Sequence, residues 1–177
     1  MRDGMAKERM TKDRAGKDRA EKDCAEKDRT GKDRTKRLRG CKERGEWAEL
    51  CFSVRATEEG LLVLRHWGES ARYDVGVDYG RRYSRVQVKS TEYKRRGESY
   101  SLNVMGPKRL AYREGDIDFV AVFLIPVDAW YIVPFERMKG KNGRLCSIHF
   151  TWGSPRQKYG EFLEAWHLLR GEQRGCS

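Results

Sequence analysis

The residues best suited to carry out chemistry lie in the stretch YDVGVDYGRRYSRVQVKS, residues 73–90. Its apolar residues alternate on both sides of residues 80–81, which predicts a hairpin with its turn at that point. In the register set by this turn, Asp74 lies opposite Gln87, and Lys89 lies diagonally across from Asp74. A carboxylate, an amide and an ammonium group are therefore expected to meet beside one sheet.

The two faces of this hairpin are predicted to differ. One face is expected to collect the apolar side chains Tyr73, Val75, Val77, Val86 and Val88. The other is expected to collect Asp74, Gly76, Asp78, Arg85, Gln87 and Lys89. A slip of one residue would exchange the faces, so both strands specify a single register.

The polar face allows two interpretations. It can be a solvated surface with a cross-strand Asp–Lys pair. It can also be a metal site, because carboxylate and carbonyl oxygens are the ligands that Mg²⁺ prefers. A metal there would polarise a phosphodiester and activate water, and a lysine would orient that water or neutralise developing charge.

Composition favours a polyanionic partner. The 177 residues carry a formal net charge of +11 and a pI of about 9.6, which points first to nucleic acid and second to an anionic membrane surface. No apolar run is long enough to span a bilayer, and the charged N-terminus does not resemble a secretory signal. The five cysteines are scattered without a C-x-x-C motif, so we expect reduced thiols, no zinc site and a cytoplasmic location.

Residues 1–40 are predicted to be a disordered, basic tail. Pentapeptides of the type KDRAG and KDRTG repeat from Lys7 to Lys36. A five-residue period builds no constant helical face, and the segment has almost no apolar side chains to offset the entropy of ordering. A basic arm that raises affinity for nucleic acid is the functional alternative, although alternating acidic residues weaken it.

Residues 41–177 are predicted to form one α/β domain. In GEWAELCFSVRATEEG we expect a helix that is capped at Gly60 and has an apolar side made of Trp47, Leu50, Cys51 and Val54. In QKYGEFLEAWHLLRG we expect a closing amphipathic helix through Phe162, Trp166 and Leu169.

Between these helices the patterns predict strands. LLVLRHW, ESYSLNV and RLCSIHF read as short strands. IDFVAVFLIP is a continuous apolar run, typical of a central strand buried on both faces, and AWYIVP reads as its neighbour after a turn at Val127-Asp128. All strands are expected to form one mixed sheet flanked by helices.

The hairpin resembles the PD-(D/E)XK nuclease superfamily, whose pattern is an acid, then an acid or glutamine, any residue, and a lysine. Asp74 followed by Gln87-Val88-Lys89 fits this pattern. RGEWAE is similar to the KGxxxE helix start of Holliday-junction resolvases, with the match on Glu49. The wider string GEWAE…YDVGVD…RVQVKST…DFVAVF…WYIVP is most similar to the small bacterial PD(D/E)XK endonuclease family, related to group I intron homing endonucleases.

This resemblance implies a restriction-endonuclease-like mixed central sheet flanked by helices, with Mg²⁺ or alternatively Mn²⁺ as cofactor. Asp74 would be the principal metal ligand, and Gln87 would contribute its amide oxygen. Glu49 would bind a second metal or a metal-bound water, and Lys89 would position the nucleophilic water. Two positions differ from the letters of the PD-(D/E)XK name itself, because Tyr73 stands at its proline and Gln87 at its second acid; the intron-homing relatives also carry that glutamine.

Other residues are candidates for the site or for its surroundings. Glu46 is an alternative to Glu49, which is favoured by its spacing from Gly45. A DNA contact is expected for the basic triplet, defined as Lys94, Arg95 and Arg96, and with less support for residues 139–144 and for Ser90 and Thr91. Structural or surface roles are expected for His66, His149 and His167, and core or interface roles for Trp67, Trp130 and Trp166.

The combined prediction is an Mg²⁺-dependent DNA endonuclease with a D…QxK active site. The alternative is a catalytically inactive nucleic-acid-binding module of the same fold, suggested by Gln87. A basic interaction protein without catalysis is a third possibility. We expect DNA as partner, no membrane association, and a dimer or tetramer, because cutting two strands calls for two active sites.

Overall fold

The computed structural model describes part of the chain, and the ranges are 38, 40–68, 70–93, 99–102, 104, 112–138, 146–149 and 158–171. Residues 146–149 are described in their backbone alone. The predicted tail up to residue 37, the basic triplet, residues 139–144 and the side chain of His149 lie outside the described residues.

The described elements are three helices, two single 3₁₀ turns and seven strands. The helices are α1 (Cys41–Glu58), α2 (Phe135–Met138) and α3 (His167–Arg170), and the 3₁₀ turns are Ile125–Val127 and Gly160–Phe162. The strands are β1 (Leu62–Leu64), β2 (Val75–Tyr79), β3 (Arg82–Thr91), β4 (Ser99–Leu102), β5 (Phe119–Leu124), β6 (Ala129–Pro134) and β7 (Cys146–His149).

Five strands form the central sheet in the order β1-β2-β3-β5-β6. Strands β3 and β5 are parallel and the other neighbours antiparallel, so the sheet is mixed. Helix α1 packs against one face through a core that includes Phe52, Val75 and Val86. The predicted α/β architecture with a mixed central sheet is confirmed.

One part of that prediction is wrong, because not all strands join one sheet. Strands β4 and β7 pair antiparallel in a separate two-stranded sheet. Both sides of β3 are already occupied, by β2 and by β5, so β4 has no free edge there. It instead buries Tyr100 and Leu102 in a second apolar cluster on the sheet face opposite to α1.

The hairpin has the predicted register. Tyr79 pairs with Arg82 and Val75 with Val86. The turn needs a residue with positive φ, and Gly80 supplies it at 67°. The valines of the hairpin lie in the core beneath α1, as alternation predicts.

Tyr73 lies on the other face from the one predicted. It packs against the second cluster, and its hydroxyl accepts a hydrogen bond of 3.0 Å from Tyr83. The reason is that strict alternation holds only within the strand, and β2 begins at Val75, two residues later.

Strand β5 is buried at all six positions, and β6 follows it as predicted. The short turn between them is the 3₁₀ turn Ile125–Val127 followed by Asp128, whose φ is 49°. The interior position of β5 explains why its sequence is apolar on both faces.

The apolar side predicted for α1 is partly wrong. The buried residues are Ala48, Phe52 and Ala56, whereas Leu50 is 54% exposed and Val54 61% exposed. Small alanines at this spacing let the helix approach the sheet, and Phe52 then inserts against Trp130, with ring centroids 5.6 Å apart.

The predicted cap of α1 at Gly60 is confirmed. Gly60 has a φ of 76°, and its N–H donates to the carbonyl of Thr57 at 2.9 Å. The N–H of Leu61 donates to the carbonyl of Ala56 at 3.0 Å, which completes a Schellman motif. This tight ending directs the chain at once into β1.

The predicted closing helix is wrong as a single element. It is broken at Glu164, where φ is 47° and the backbone N–H donates to the carbonyl of Trp130 at 2.8 Å. The Glu164 carboxylate accepts the N–H of Trp130 at 2.8 Å in return. The outer edge of β6 thus competes with the helix for these backbone groups, although Phe162, Trp166 and Leu169 are buried as expected.

Two of the three tryptophans considered above lie in the core, Trp130 at 4% and Trp166 at 2% exposed. Trp67 does not, because its side chain is fully exposed. Within the described ranges, no helix is both long and apolar enough to cross a bilayer.

Candidate active site

The candidate site lies where β1 ends and β2 begins, beside the middle of β3. Leu64 pairs with Gly76, and Gly76 pairs with Arg85, so the next residues of β1 and the residues before β2 approach Gln87. Strand β3 continues beyond this point to Thr91. Because β2 begins at Val75, opposite Val86, residues 87–91 of β3 extend past the start of β2.

Asp74 lies directly before β2, beside this extension of β3. Its backbone N–H donates to the carbonyl of Val86 at 3.1 Å, which holds it in the hairpin register. Its side chain folds onto β3, where Oδ2 accepts hydrogen bonds from the backbone N–H of Val88 at 2.8 Å and from Nε2 of Gln87. Asp74 and Gln87 are thus brought together as the hairpin register predicts.

Gln87 is almost fully buried, at 5% exposed. Its Nε2 faces Asp74, and its Oε1 accepts a hydrogen bond of 2.6 Å from the hydroxyl of Tyr112. A carboxylate accepts hydrogen bonds only, so Asp74 determines that the amide nitrogen points toward it. In this state the amide oxygen, which the prediction assigned to a metal, is turned to Tyr112.

Lys89 is half-buried two residues further along β3. It lies close enough to Asp74 to act against the rise in that group's pKa. Among the described carboxylates, none lies within 4.0 Å of its ammonium group in an ion pair. The lysine is therefore near the carboxylate without neutralising it directly.

Glu49 reaches the same site from α1. Its carboxylate pairs with Arg65, which follows β1, at 3.0 Å. The N-terminal turn of α1 is held to the end of β3 by an ion pair between Arg44 and Glu92, which fixes the helix beside the hairpin. Glu46 lies on the surface with Lys42 as partner at 3.9 Å, and its charge contributes to the raised pKa of Glu49.

Burial changes the ionisation of both carboxyl groups. Desolvation raises the pKa of Asp74, and the Val88 N–H and the charge of Lys89 reduce this rise without cancelling it. Desolvation and then the charge of Asp74 raise the pKa of Glu49, against the opposing charge of Arg65. Carboxylates whose charge is not fully compensated inside a protein are typical of functional sites.

His66 is a further member of this environment. Its Nε2 lies 3.0 Å from the carbonyl of Tyr73, which can only accept, so Nε2 carries the proton. Its Nδ1 is buried and has no partner among the described residues. The imidazole is near enough to influence both Asp74 and Glu49 electrostatically.

The remaining sequence candidates have other surroundings. Thr91 is buried, and its hydroxyl accepts the N–H of Tyr93 at 3.2 Å. Ser90 is half-buried. The chain enters the basic triplet directly after Tyr93, which is 67% exposed.

The described residues offer a divalent cation few donors at this site. Within the described part of the chain, no three His, Cys, Asp or Glu side chains lie close enough to share an ion. A cation here would therefore depend on Asp74 and on neutral oxygens, which suits Mg²⁺ with several retained waters. Oδ1 of Asp74 accepts no hydrogen bond from the described residues, so one lone-pair direction remains for a ligand.

Sequence reasoning missed three residues near this site. Arg65 and His66 follow a short strand, and their approach depends on the pairing of β1 with β2. Tyr112 is 25 residues from Gln87 in the chain and belongs to none of the sequence patterns described above. The pairing of β1 was the only signal that could have indicated the first two, and no signal indicated Tyr112.

The fold is a mixed five-stranded sheet with α1 packed on one face, and its hairpin brings Asp74 and Gln87 together with Lys89 nearby. The PD-(D/E)XK endonuclease family model matches residues 40–169. Because this match covers most of the chain, the protein belongs to the PD-(D/E)XK endonuclease family, which is a family of nucleases.

Two solved structures are similar to the chain. One is the bacterial homing endonuclease I-Ssp6803I, with 23% identity and a TM-score of 0.60 over 75% of this chain and 92% of that one. The other is the Holliday junction resolvase Hjc of the archaeal hyperthermophile Archaeoglobus fulgidus, with 20% identity and a TM-score of 0.49 over 73% and 98%. No curated protein matches the sequence. The predicted family is confirmed, and the homing endonuclease supports the fold.

Proposed function

We propose that the protein is a DNA endonuclease that depends on Mg²⁺, for which Mn²⁺ can substitute. Its proposed active site, where phosphodiester bonds are hydrolysed, consists of Asp74, Gln87, Lys89 and Glu49. The observation that carries the proposal is the half-buried Asp74 carboxylate directly before β2, whose pKa is raised by desolvation and which no described cationic side chain contacts directly. DNA is proposed because the net charge is +11 and because the similar fold is that of a homing endonuclease.

The proposed roles follow from position. When bound, a divalent cation would supply Lewis acidity and an activated water. Asp74 would bind it, and the half-buried Lys89 would orient the water and stabilise negative charge on the phosphate. Glu49, held by Arg65 at 3.0 Å, would bind a metal-bound water or a second ion from the helix side.

A catalytically inactive nucleic-acid-binding module is the second candidate, and one observation favours it. The Gln87 amide nitrogen occupies Oδ2 of Asp74, an arrangement that satisfies the carboxylate without a metal. In an inactive protein of this fold, the hydrogen bond from Gln87 would be sufficient to stabilise the Asp74 carboxylate. The two candidates differ in whether DNA is cut when metal is present.

The test is incubation of supercoiled plasmid with the full chain and Mg²⁺, Mn²⁺ or EDTA. We expect nicked or linear products with either metal and none with EDTA. The variants Asp74→Ala and Lys89→Ala should lose cleavage, whereas Asp78→Ala, which removes a carboxylate within β2 and nearer the turn, should retain it. A wild-type chain that shifts DNA in a gel but never cuts it would establish the inactive module instead.

A contact between the basic triplet and phosphate is proposed as well, since residues 94–96 follow β3 beyond Lys89. Replacing Lys94, Arg95 and Arg96 together by Ala should weaken DNA binding and reduce the slope of log K against log salt by roughly 2–3. The measurement is fluorescence anisotropy across a salt series, with Arg81→Ala in the hairpin turn as control. An unchanged slope would remove the triplet from the interface.

Assembly and the N-terminal tail remain proposals. We propose a dimer or tetramer, so that two sites act on two strands, and sedimentation of the full chain with and without DNA measures this directly. We also propose that residues 1–40 form an appendage separate from the domain of residues 41–177, a boundary next to the start of α1 at Cys41.

A further inference from the structure

The orientation of the Gln87 amide has a physical consequence for metal binding. Its nitrogen donates to Oδ2 of Asp74, and its oxygen accepts from Tyr112 at 2.6 Å. With 5% of the residue exposed, water cannot substitute readily for either partner. Both ends of the amide are therefore specified by protein groups.

This orientation is opposite to the one that would serve a cation. An amide binds a metal through its oxygen, whereas its N–H groups carry partial positive charge. As described, the side of Gln87 next to Asp74 presents N–H groups. The residue either takes no part in metal binding or turns its amide over.

We propose that the Gln87 amide turns over when a divalent cation binds beside Asp74, and that Tyr112 changes from hydrogen-bond donor to acceptor to permit it. This inference rests on the proposed function. It assigns to Tyr112 the role of a positioning residue that acts through Gln87.

The hydroxyl of tyrosine makes this exchange possible because it can both donate and accept. After the turn, Nε2 of Gln87 would donate to the Tyr112 oxygen, and Oε1 would face Asp74. Oδ2 of Asp74 would keep the hydrogen bond from the Val88 N–H at 2.8 Å. The terminal amide torsion is soft, so the rotation itself costs little.

The surroundings hold Tyr112 in place for both states. Its ring contacts Phe135 edge-to-face, with centroids 5.9 Å apart. Burial foremost, followed by the charges of Asp74 and Asp116, raises the pKa of its hydroxyl, which therefore stays neutral. Tyr112 is half-buried as a residue, which leaves room for its hydroxyl proton to turn away from Gln87 once the oxygen accepts.

The first experiment is NMR of the full chain, which identifies the Gln87 side-chain NH₂ by its disappearance in Gln87→Glu. Without metal, we expect nuclear Overhauser contacts from this NH₂ to the Val88 amide proton, because both donate to one oxygen. With diamagnetic Mg²⁺, we expect those contacts to be replaced by contacts to the Tyr112 ring. Contacts to Val88 that persist while the Asp74 and Val88 backbone signals respond to Mg²⁺ would overturn the inference alone.

An absence of any Mg²⁺ response in these signals would overturn the proposed metal site and this inference with it. The two failures are therefore distinguishable in one titration.

The second experiment is a double-mutant cycle on Mg²⁺ affinity. Tyr112→Phe should lower the affinity severalfold, because buried N–H groups without an acceptor are tolerated less well than a carbonyl without a donor. The loss should vanish in a Gln87→Ala background if Tyr112 acts through Gln87. Tyr83→Phe removes the hydroxyl that bonds Tyr73 and is the control, with unchanged affinity expected. Equal losses in both backgrounds would show that Tyr112 acts by another route.

Discussion

Two aspartates flank strand β3, Asp74 on the β2 side and Asp118 on the β5 side. Each accepts a backbone N–H of β3, from Val88 at 2.8 Å and from Arg85 at 2.7 Å respectively. They differ in the side chain that completes the contact. Asp118 receives the charged fork of Arg85, at 3.0 Å from Nε and 2.9 Å from Nη2, whereas Asp74 receives a neutral amide.

The ionisation of the two groups follows this difference. Burial acts to raise the pKa of Asp118, but the hydrogen bonds from Arg85 outweigh it and leave the pKa below its ordinary value. The pKa of Asp74 is raised by burial that its partners do not offset. Two aspartates beside one strand thus differ: Asp118 is part of a completed ion pair, whereas the charge of Asp74 is only partly compensated.

The largest expected effect is on cleavage. Asp74→Asn keeps the size of the side chain but removes its charge, and should reduce DNA cleavage by roughly 10²–10³-fold or more. Asp118→Asn should leave cleavage by the folded protein close to wild type. The measurement is single-turnover cleavage of plasmid DNA in Mg²⁺. Equal losses in both variants would erase the functional distinction between the two aspartates.

The next effect is on stability, where Asp118 should be the sensitive position. Asp118→Asn leaves the Arg85 guanidinium without its counter-charge, and we expect a loss of about 1–2 kcal/mol, since the pair is about one-third exposed. Urea unfolding of metal-free protein measures it. A variant as stable as wild type would show that the Arg85 contacts contribute nothing net.

Asp74→Asn should have the opposite sign and stabilise the metal-free fold at neutral pH, because it removes a desolvated charge. Each 1 kcal/mol gained would raise Tm by roughly 2–4 °C in a protein of this size. Such an increase together with lost cleavage would be the mark of a residue kept for function. A lower Tm would instead assign Asp74 a structural role like that of Asp118.

The pH dependence of this gain follows from linkage. Since the folded-state pKa of Asp74 is above its model value of 3.8, wild-type stability falls as pH rises from that value through the folded-state pKa. Because the charge of Asp74 also raises the pKa of Glu49, wild type and Asp74→Asn are compared in a Glu49→Gln background. The stability difference should therefore be small below pH 3.8 and constant above the raised pKa. A difference that does not change with pH would contradict the desolvation argument.

The smallest effect is expected at α1. Glu49→Gln should reduce cleavage less than Asp74→Asn, because Glu49 reaches the site from a neighbouring element and is partly neutralised by Arg65. Glu46→Gln, at an exposed position, is the matched control and should change nothing measurable. Cleavage that depended on Glu46 and not on Glu49 would reverse the assignment within the helix.

The position of Asp74 beside Gln87 could be predicted from the sequence because local rules determine it. Alternation of valines and a glycine turn fix the hairpin register, and the register places Asp74 against Gln87. The continuous apolar run of β5 likewise has one reading as an interior strand. Family resemblance added the expected roles, which the register alone does not contain.

The features that could not be predicted from the sequence depend on contacts between distant segments of the chain. The apolar side of α1 was predicted from its large residues, but close packing selected Ala48, Phe52 and Ala56. The break at Glu164 arises from hydrogen bonds to Trp130, 34 residues away. Tyr112 reaches Gln87 through a fold that brings residue 112 over the sheet, and no local pattern encodes that approach.

The central claim is that Asp74, and not Asp118, binds the metal. The most direct test measures Mn²⁺ binding in the absence of DNA, with electron paramagnetic resonance used to quantify the free ion. The account predicts saturable binding by the wild-type chain and by Asp118→Asn, and loss of that binding in Asp74→Asn. Binding that survives unchanged in Asp74→Asn, or that disappears in Asp118→Asn while the protein stays folded, would contradict it.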